Sequence, residues 1–364
     1  MTIASIGAFG VVLALATSAH ADVKEDPCAC SPVKPGFFRR GTLTGDWDDL
    51  RDKLKAKGII PQAVYAGEVF AAPDQGLDHQ VRGAGLLVLS LDLELEKLVD
   101  SHFGQLHVST LAIHGHGLSA DLMDLYGISG NVAEQDVRLF ELWVEQPIHK
   151  ATIRAGLLSA DQEFILARHS TALLNATFGI ISQLSFNVNG ITVYPVATPG
   201  VSARLELPGF TARAAVFDGD QHGVHGIPNA IGPTSLTAGE LEFGELLKLG
   251  IWHHTDRGNG YYAILDHQLE RYLAAFVRVS SSPNQPVTKY IDTGIRIGPG
   301  PFRKHDFIGV GIAFAGTSAR GAETLVEGTY QAQFGWLTIQ PDFQLLFQRE
   351  RTAVIIATRA TIVF

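Results

Sequence analysis

Histidines and carboxylates at short spacing are the residues in this chain whose types point first to chemistry. His114-Gly115-His116 puts two imidazoles on one face of an extended segment, His253-His254 adds a second pair, and Asp218-Gly219-Asp220-Gln221-His222-Gly223 a third set. Such side chains hold a divalent metal when three or four of them converge. Around His114 and His116 the nearest acids, Asp121 and Asp124, lie beyond a Gly and Ser break, which leaves the set incomplete. The 218–223 run could take a cation, but its polarity, in a loop reaching Pro233, fits a long exposed loop better. Cys28 and Cys30 are the only cysteines, too close to staple a fold and too few to close a metal site. There is no Gly-x-Ser-x-Gly, phosphate loop or dinucleotide fingerprint. The residues therefore predict no catalytic group, metal or cofactor.

What remains is charge and hydrogen bonding placed by alternation, best developed over residues 329–364. Leu337, Ile339, Pro341, Phe343, Leu345 and Phe347 share one parity, and Thr338, Gln340, Asp342, Gln344 and Gln348 the other, with Leu346 the exception. Period two is a strand. Its polar parity is mostly amide and hydroxyl rather than Lys and Glu, as suits a water-filled lumen, and the chain stops on Phe364, as many outer-membrane barrels do. Composition agrees. Charged residues are 18% of 364, against about 25% in soluble proteins, and mean hydropathy is +0.14. Past the amino terminus no run of about 20 apolar residues could span as a helix, and the other structure that satisfies its backbone in lipid is a closed barrel. A net charge of −9 without a long basic tract disfavours nucleic acid as a partner.

Residues 6–16 are apolar and lead to Ala19-His20-Ala21 before Asp22, the pattern of a cleavable export signal over 1–21, although no Lys or Arg precedes it. A linker and helix fill 22–60, with the barrel over 61–364. Thr44 or Asp46 could cap the helix, Lys53, Lys55 and Lys57 suit its carboxy end, and Trp47, Leu50 and Leu54 predict one buried face.

Parity then sorts the strands. Glu141, Trp143 and Glu145 oppose Phe140, Leu142 and Val144, with Arg138 on the apolar parity at an interfacial end. Arg154 opposes Ile153, Ala155 and Leu157. Arg204, Glu206 and Arg213 turn inward by the same rule, as do Asp292, Arg296, Asp342 and Arg359. An Arg or Lys at mid-strand on the lipid face would cost about 2 to 4 kcal/mol, so an inward placement removes that penalty. These ten candidates, Glu141, Glu145, Arg154, Arg204, Glu206, Arg213, Asp292, Arg296, Asp342 and Arg359, would line a permeation pathway or pair with one another to fill space. Trp252, Trp336, Tyr261 and Tyr262 are expected in the interfacial aromatic girdle.

Several motifs occur in a familiar order. Leu43-Thr44-Gly45-Asp46-Trp47, Leu50-Arg51 and Lys57-Gly58-Ile59 open the chain. Phe140-Glu141-Leu142-Trp143-Val144-Glu145-Gln146, Arg154-Ala155-Gly156, Asp161-Gln162-Glu163-Phe164 and Tyr194-Pro195 follow, and Trp336 to Gln344 close it. Together they resemble the carbohydrate-selective porin (OprB) family, although Gln348-Arg349-Glu350-Arg351 stands where that family usually has a Pro- and Gly-containing turn. The resemblance implies an all-β transmembrane fold, an antiparallel outer-membrane β-barrel of about sixteen strands with a short amino-terminal helical segment, passing sugars or polyols by diffusion. Implied partners are the permeants, outer-membrane lipid and, through Phe364, the barrel assembly machinery. The rival readings are a barrel enzyme acting on lipid or polysaccharide and a structural or export barrel.

Overall fold

Alternation carries most of the architecture. A computed structural model of the chain describes residues 36–364 apart from 74–80, 100–103, 300–302, 304 and 320. The expected export signal, Cys28 and Cys30 lie outside the described residues. Sixteen strands form one closed antiparallel barrel in which neighbours in sequence are neighbours in space and the last strand pairs with the first. They are β1 (Ile59–Ala71), β2 (Val81–Glu94), β3 (Gln105–Gly115), β4 (Asp136–Ile148), β5 (Ala151–Leu158), β6 (Thr198–Leu207), β7 (Phe210–Asp218) and β8 (Ser235–Phe243), then β9 (Leu247–His254), β10 (Gly258–Glu270), β11 (Leu273–Ser281), β12 (Val287–Ile297), β13 (Phe307–Thr317), β14 (Ala322–Phe334), β15 (Leu337–Phe347) and β16 (Thr352–Val363). Val64 of β1 faces Val363 of β16 across the seam. Closure removes every sheet edge, so the backbone can sit in lipid with its hydrogen bonds made. Among the described residues no helix is long and apolar enough to cross a membrane.

The two faces separate cleanly in the second half of the barrel. On β12, Ile291 and Ile295 are exposed outward while Tyr290 and Asp292 are buried within. On β15, Phe343 and Phe347 face out and Gln340, Asp342 and Gln344 face in, joined by Leu346, which packs in the interior as a member of the main apolar cluster. A turn at Gly335 and Trp336, with Gly335 at φ 60°, resets the chain between β14 and β15.

Three expectations are corrected. In β4, Ser109 pairs with Glu141 and Thr110 with Leu139, so Phe140 is the extra residue of a β-bulge. The bulge shifts parity, and Arg138 and Phe140 turn inward together with Glu141 and Trp143. The supposed girdle divides: Tyr261 faces out, but Trp252 and Tyr262 are buried inside, and Trp336 packs against Phe37 and Phe38. Room for the inward pair comes from glycines on the adjacent strand, because a Cβ at Gly250 would stand 2.0 Å from Tyr262 and one at Gly260 2.3 Å from Trp252.

The third correction concerns the helix. Trp47, Asp48 and Asp49 all have positive φ, so the helix starts only at Leu50, runs Leu50–Ala56 without a side-chain cap, and buries no residue. Trp47 and Leu50 are exposed because the helix stands outside the barrel, where Arg51 lies over the Trp47 ring at 4.4 Å and donates to the Phe364 carbonyl at 3.0 Å. That end of the barrel also carries the tight turns at 149–150, 208–209, 271–272 and 335–336. Short turns mark the periplasmic end of outer-membrane barrels.

At the opposite end two connections turn into the lumen. Residues 116–135, between β3 and β4, and 159–197, between β5 and β6, bury Leu118, Leu122, Tyr126, Phe164, Leu173 and Phe178 almost completely. They fasten to polar groups on the wall. Glu323 accepts from Leu125 N at 2.9 Å, Glu240 from Ile165 N at 3.1 Å, and Glu327 from Leu174 N and from Asn175 N at 3.1 Å. Arg278 donates to the Thr177 and Gly179 carbonyls at 2.8 Å each. Carboxylates thus hold amide donors and a guanidinium holds carbonyls, which leaves irregular backbone satisfied inside the barrel.

Candidate functional site

The inward segments do not fill the lumen evenly. They press against β8 to β16 and leave space beside β2, β3 and β4, where a cavity of about 180 Å³ is lined by Val88, Leu111 and Phe140 of the wall and by Val193 and Tyr194 of the 159–197 segment. Phe140 meets Tyr194 edge to face with centroids 6.0 Å apart. Facing this apolar side are Ser109, Ser129, Glu141, Asp161, Gln162 and Ser185. The bulge in β4 is what delivers Phe140 and Glu141, successive residues, to the same chamber.

A second cavity, of about 90 Å³, lies nearer the tight-turn end and is lined by Glu145, Thr152, Arg154, Glu163, Ser202, Arg204, Arg213 and Lys248. Gln162 borders both chambers. Arg154 organises the second one. Its Nη2 lies 2.6 Å from Glu145 and its Nη1 2.8 Å from Glu163, while the guanidinium covers the Trp143 ring at 4.0 Å. Behind Trp143, His107 stacks at 4.7 Å and pairs with Asp92 at 2.7 Å. Arg213 joins Glu240 at 3.0 Å and Glu242 at 2.7 Å, and Arg204 reaches Glu206 at 3.1 Å. Lys248 donates to the Leu166 carbonyl at 2.8 Å. Around these four cations stand five carboxylates, so the chamber presents paired charge rather than a strong field of one sign.

Where the 159–197 segment enters the lumen, Asp161 is held by the Ser159 hydroxyl and by Tyr194 N at 3.1 Å. Burial pushes its carboxyl above the usual value, against the pull of these hydrogen bonds.

Five of the ten candidates meet at the two chambers: Glu141, Glu145, Arg154, Arg204 and Arg213. The others are elsewhere. Asp292 is locked to Arg278 beneath the 159–197 segment, Arg359 pairs with Glu68 and donates to Ser129, and Asp342 accepts from Gln344. Arg296 lies over Phe307 at 4.4 Å and Glu206 is exposed at the rim. Alternation missed Phe140, Gln162, Glu163, Tyr194 and Lys248. Asp161 to Glu163 and Tyr194 stood in recognisable motifs, but Asp161 and Gln162 sit in a 3-10 turn and not in a strand. Of the histidines weighed as ligands, His114 stacks with Tyr65, His116 contacts Gln135 and His254 contacts the Gly219 carbonyl.

A family model described as carbohydrate-selective porin, OprB family, matches residues 78–265 and 253–364, most of the chain. The chain belongs to that family. Compared by sequence with curated proteins, it matches none. Among solved structures it is similar to the high-pH structure of Pseudomonas putida OprB, with a TM-score of 0.81 and 18% identity over 90% of this chain and 99% of that one. The low-pH structure of the same porin, at equal identity and coverage, gives a TM-score of 0.64. A triple mutant of Rhodopseudomonas blastica porin gives 0.54 at 8% identity, over 84% of this chain and 100% of that one. Family and fold together make this an outer-membrane porin for carbohydrates, a channel architecture rather than that of an enzyme.

Proposed function

We propose that neutral sugars or polyols diffuse passively from the chamber beside β2 to β4, past Gln162, into the chamber around Arg154, and so to the periplasm. The observation that carries this reading is the two-sided first chamber. Phe140, Tyr194 and Leu111 offer the apolar face that a pyranose ring presents, and Glu141, Asp161 and Gln162 offer acceptors and donors at the height of its hydroxyls. Paired charge in the second chamber supports an uncharged permeant, because it supplies many hydrogen-bonding groups without a large net field. No chemistry on the sugar is needed, and no energy input. Glu141, Glu145, Arg154, Arg204 and Arg213 are the pathway residues in this reading, while Asp292, Asp342 and Arg359 act by holding the inward segments.

The remaining parts of the reading concern export and assembly. Residues 1–21 serve as a cleaved signal, 22–60 as linker and helix, and 61–364 as the pore; the outward Ile, Val and Phe residues meet lipid; and Phe364 is read by the assembly machinery. Deleting Phe364 should lower the amount of barrel in the outer membrane more than the conductance of each inserted channel, and normal membrane levels would count against it. Purified protein in planar bilayers, titrated with a panel of sugars, tests the pathway. Stepwise conductance that added sugars block is the expected result, and no conductance at all would sink it.

A further inference from the structure

Above β7 the chain gathers three potential ligand atoms that the sugar path does not use. Asp218, Asp220 and His222 each offer one atom, and the three atoms lie within 4.8 Å of one another. The carboxylates are fixed before any ligand arrives. Asp218 is 6% exposed, its Oδ1 accepts from Asp220 N at 3.1 Å and its Oδ2 from Gly232 N at 2.9 Å. Asp220 Oδ2 accepts the Thr234 hydroxyl. None of the ion pairs formed by the described residues includes either carboxylate.

His222 supplies the independent observation. Its Nε2 is sealed from solvent, with less than 1 Å² accessible, and has no hydrogen-bond partner. The ring as a whole is only half-buried, but a sealed nitrogen without a partner is costly unless something occupies the point it faces. Gly232 borders the space between the three atoms. A Cβ built there would stand 2.5 Å from His222 Nε2 and 3.1 Å from both Asp218 Oδ1 and Asp220 Oδ2, so any side chain at this position would crowd all three atoms, and glycine leaves the space beside them clear.

We propose that Asp218, Asp220 and His222 bind a divalent cation of the zinc class. One imidazole nitrogen and two carboxylates are borderline donors suited to Zn²⁺, with a remaining position for water, whereas Ca²⁺ takes six or more oxygens. The amide bonds to Asp218 and the Thr234 hydroxyl on Asp220 are the outer contacts that orient such ligands. The consequence is mechanical. Strand β4 rises above the end of β5, and the 219–234 loop covers that step: the His225 carbonyl accepts from Leu139 N at 2.9 Å and its ring pairs with Asp136 at 2.5 Å. An ion at the root of the loop would fasten this cover over the low part of the wall. The proposal stands apart from the sugar path and survives or fails without it.

The test uses the full chain in detergent, stripped with a chelator and titrated with Zn²⁺ in a calorimeter. One ion per chain is expected, with His222→Ala and Asp220→Asn each weakening binding by about tenfold or more, and His116→Ala leaving it intact. Zn²⁺ should also slow proteinase K cleavage within 219–234 in the parent protein and not in the two variants, whose heat-modifiable migration on gels reports an intact barrel. No zinc binding, binding unchanged by both substitutions, or a site that takes Ca²⁺ and not Zn²⁺ would each overturn the proposal.

Discussion

The wall from β8 to β16 and the wall from β2 to β7 face the same lumen and do opposite things with it. On the first, inward carboxylates, amides and Arg278 are consumed by backbone groups of the inward segments: Glu240, Glu323, Glu327 and Gln340 each hold a stretch of irregular chain. On the second, Glu145, Arg154, Arg204 and Arg213 bond to side chains and border open space. Within the second wall the strands shorten from 14 residues in β2 to 8 in β5, where the wall steps down and the 219–234 loop covers it. A polar residue inside a barrel is therefore not evidence of a pore lining. What separates the groups is whether the partner is a backbone group of an inward segment or another side chain beside open space, and Glu141 does both, lining the first chamber while accepting from Ser159 N at 3.2 Å.

If the wall from β8 to β16 holds the inward segments in place, Glu327→Ala should have the largest effect. It strands the Leu174 and Asn175 amides, each buried unpaired donor costing about 1 to 3 kcal/mol. The expected outcome is a lower temperature of heat-modifiable unfolding together with a larger, noisier conductance in bilayers, and Glu327→Gln should be milder because it keeps one acceptor. An unchanged channel would erase the distinction between the walls. Next comes Arg154→Ala. Removing the cation leaves Glu145 and Glu163 uncompensated in the second chamber, so selectivity should move toward cations and sugar block should change while barrel stability moves less than in Glu327→Ala. Reversal-potential measurements in a salt gradient read this directly.

A weaker change is expected at the apolar side of the first chamber. An aromatic contact adds about 0.5 to 1.5 kcal/mol beyond area, so Phe140→Ala should weaken sugar block by roughly two- to tenfold with ion conductance equal or higher. Equal sugar block would remove Phe140 from the path.

How far these residues were legible in the chain follows from the same contrast. Alternation placed Arg154, Arg213, Asp292 and Arg359 inward, since period two is a local property that the sequence displays. It misplaced Phe140 and Arg138, because a bulge is defined by the partner strand and leaves no mark in a single strand's pattern. Trp252 and Tyr262 were lost for a related reason: the space they occupy is provided by glycines on the adjacent strand, visible only once the register is known. The inward segments have no period at all. Whether residues 159–197 project outward or fold into the lumen depends on acids more than 70 positions away, such as Glu240 for Ile165 and Glu327 for Asn175. Alternation identified a barrel with charged residues inside, but not which of those charges the inward segments would occupy.

The smallest effect concerns how firmly the 116–135 segment is seated. Asp124 lies within it, accepting from Gly127 N at 2.8 Å through Oδ2, while its Oδ1 is buried without a partner. Burial first, and the nearby Glu323 charge second, push its carboxyl up to about 7 from an ordinary 3.8. The seated segment therefore binds a proton that the released segment gives up. Seating is favoured in full below the ordinary value and weakens as pH rises through the window from there to about 7. Protease cleavage within 116–135 should accordingly increase modestly from acid to neutral pH, and Asp124→Asn, which keeps the uncharged state at every pH, should flatten the dependence. Cleavage that rises with pH equally in both proteins would place the titrating group elsewhere, and cleavage that falls with pH would show that the ionised carboxylate, not the acid, is the form that holds the segment against the wall.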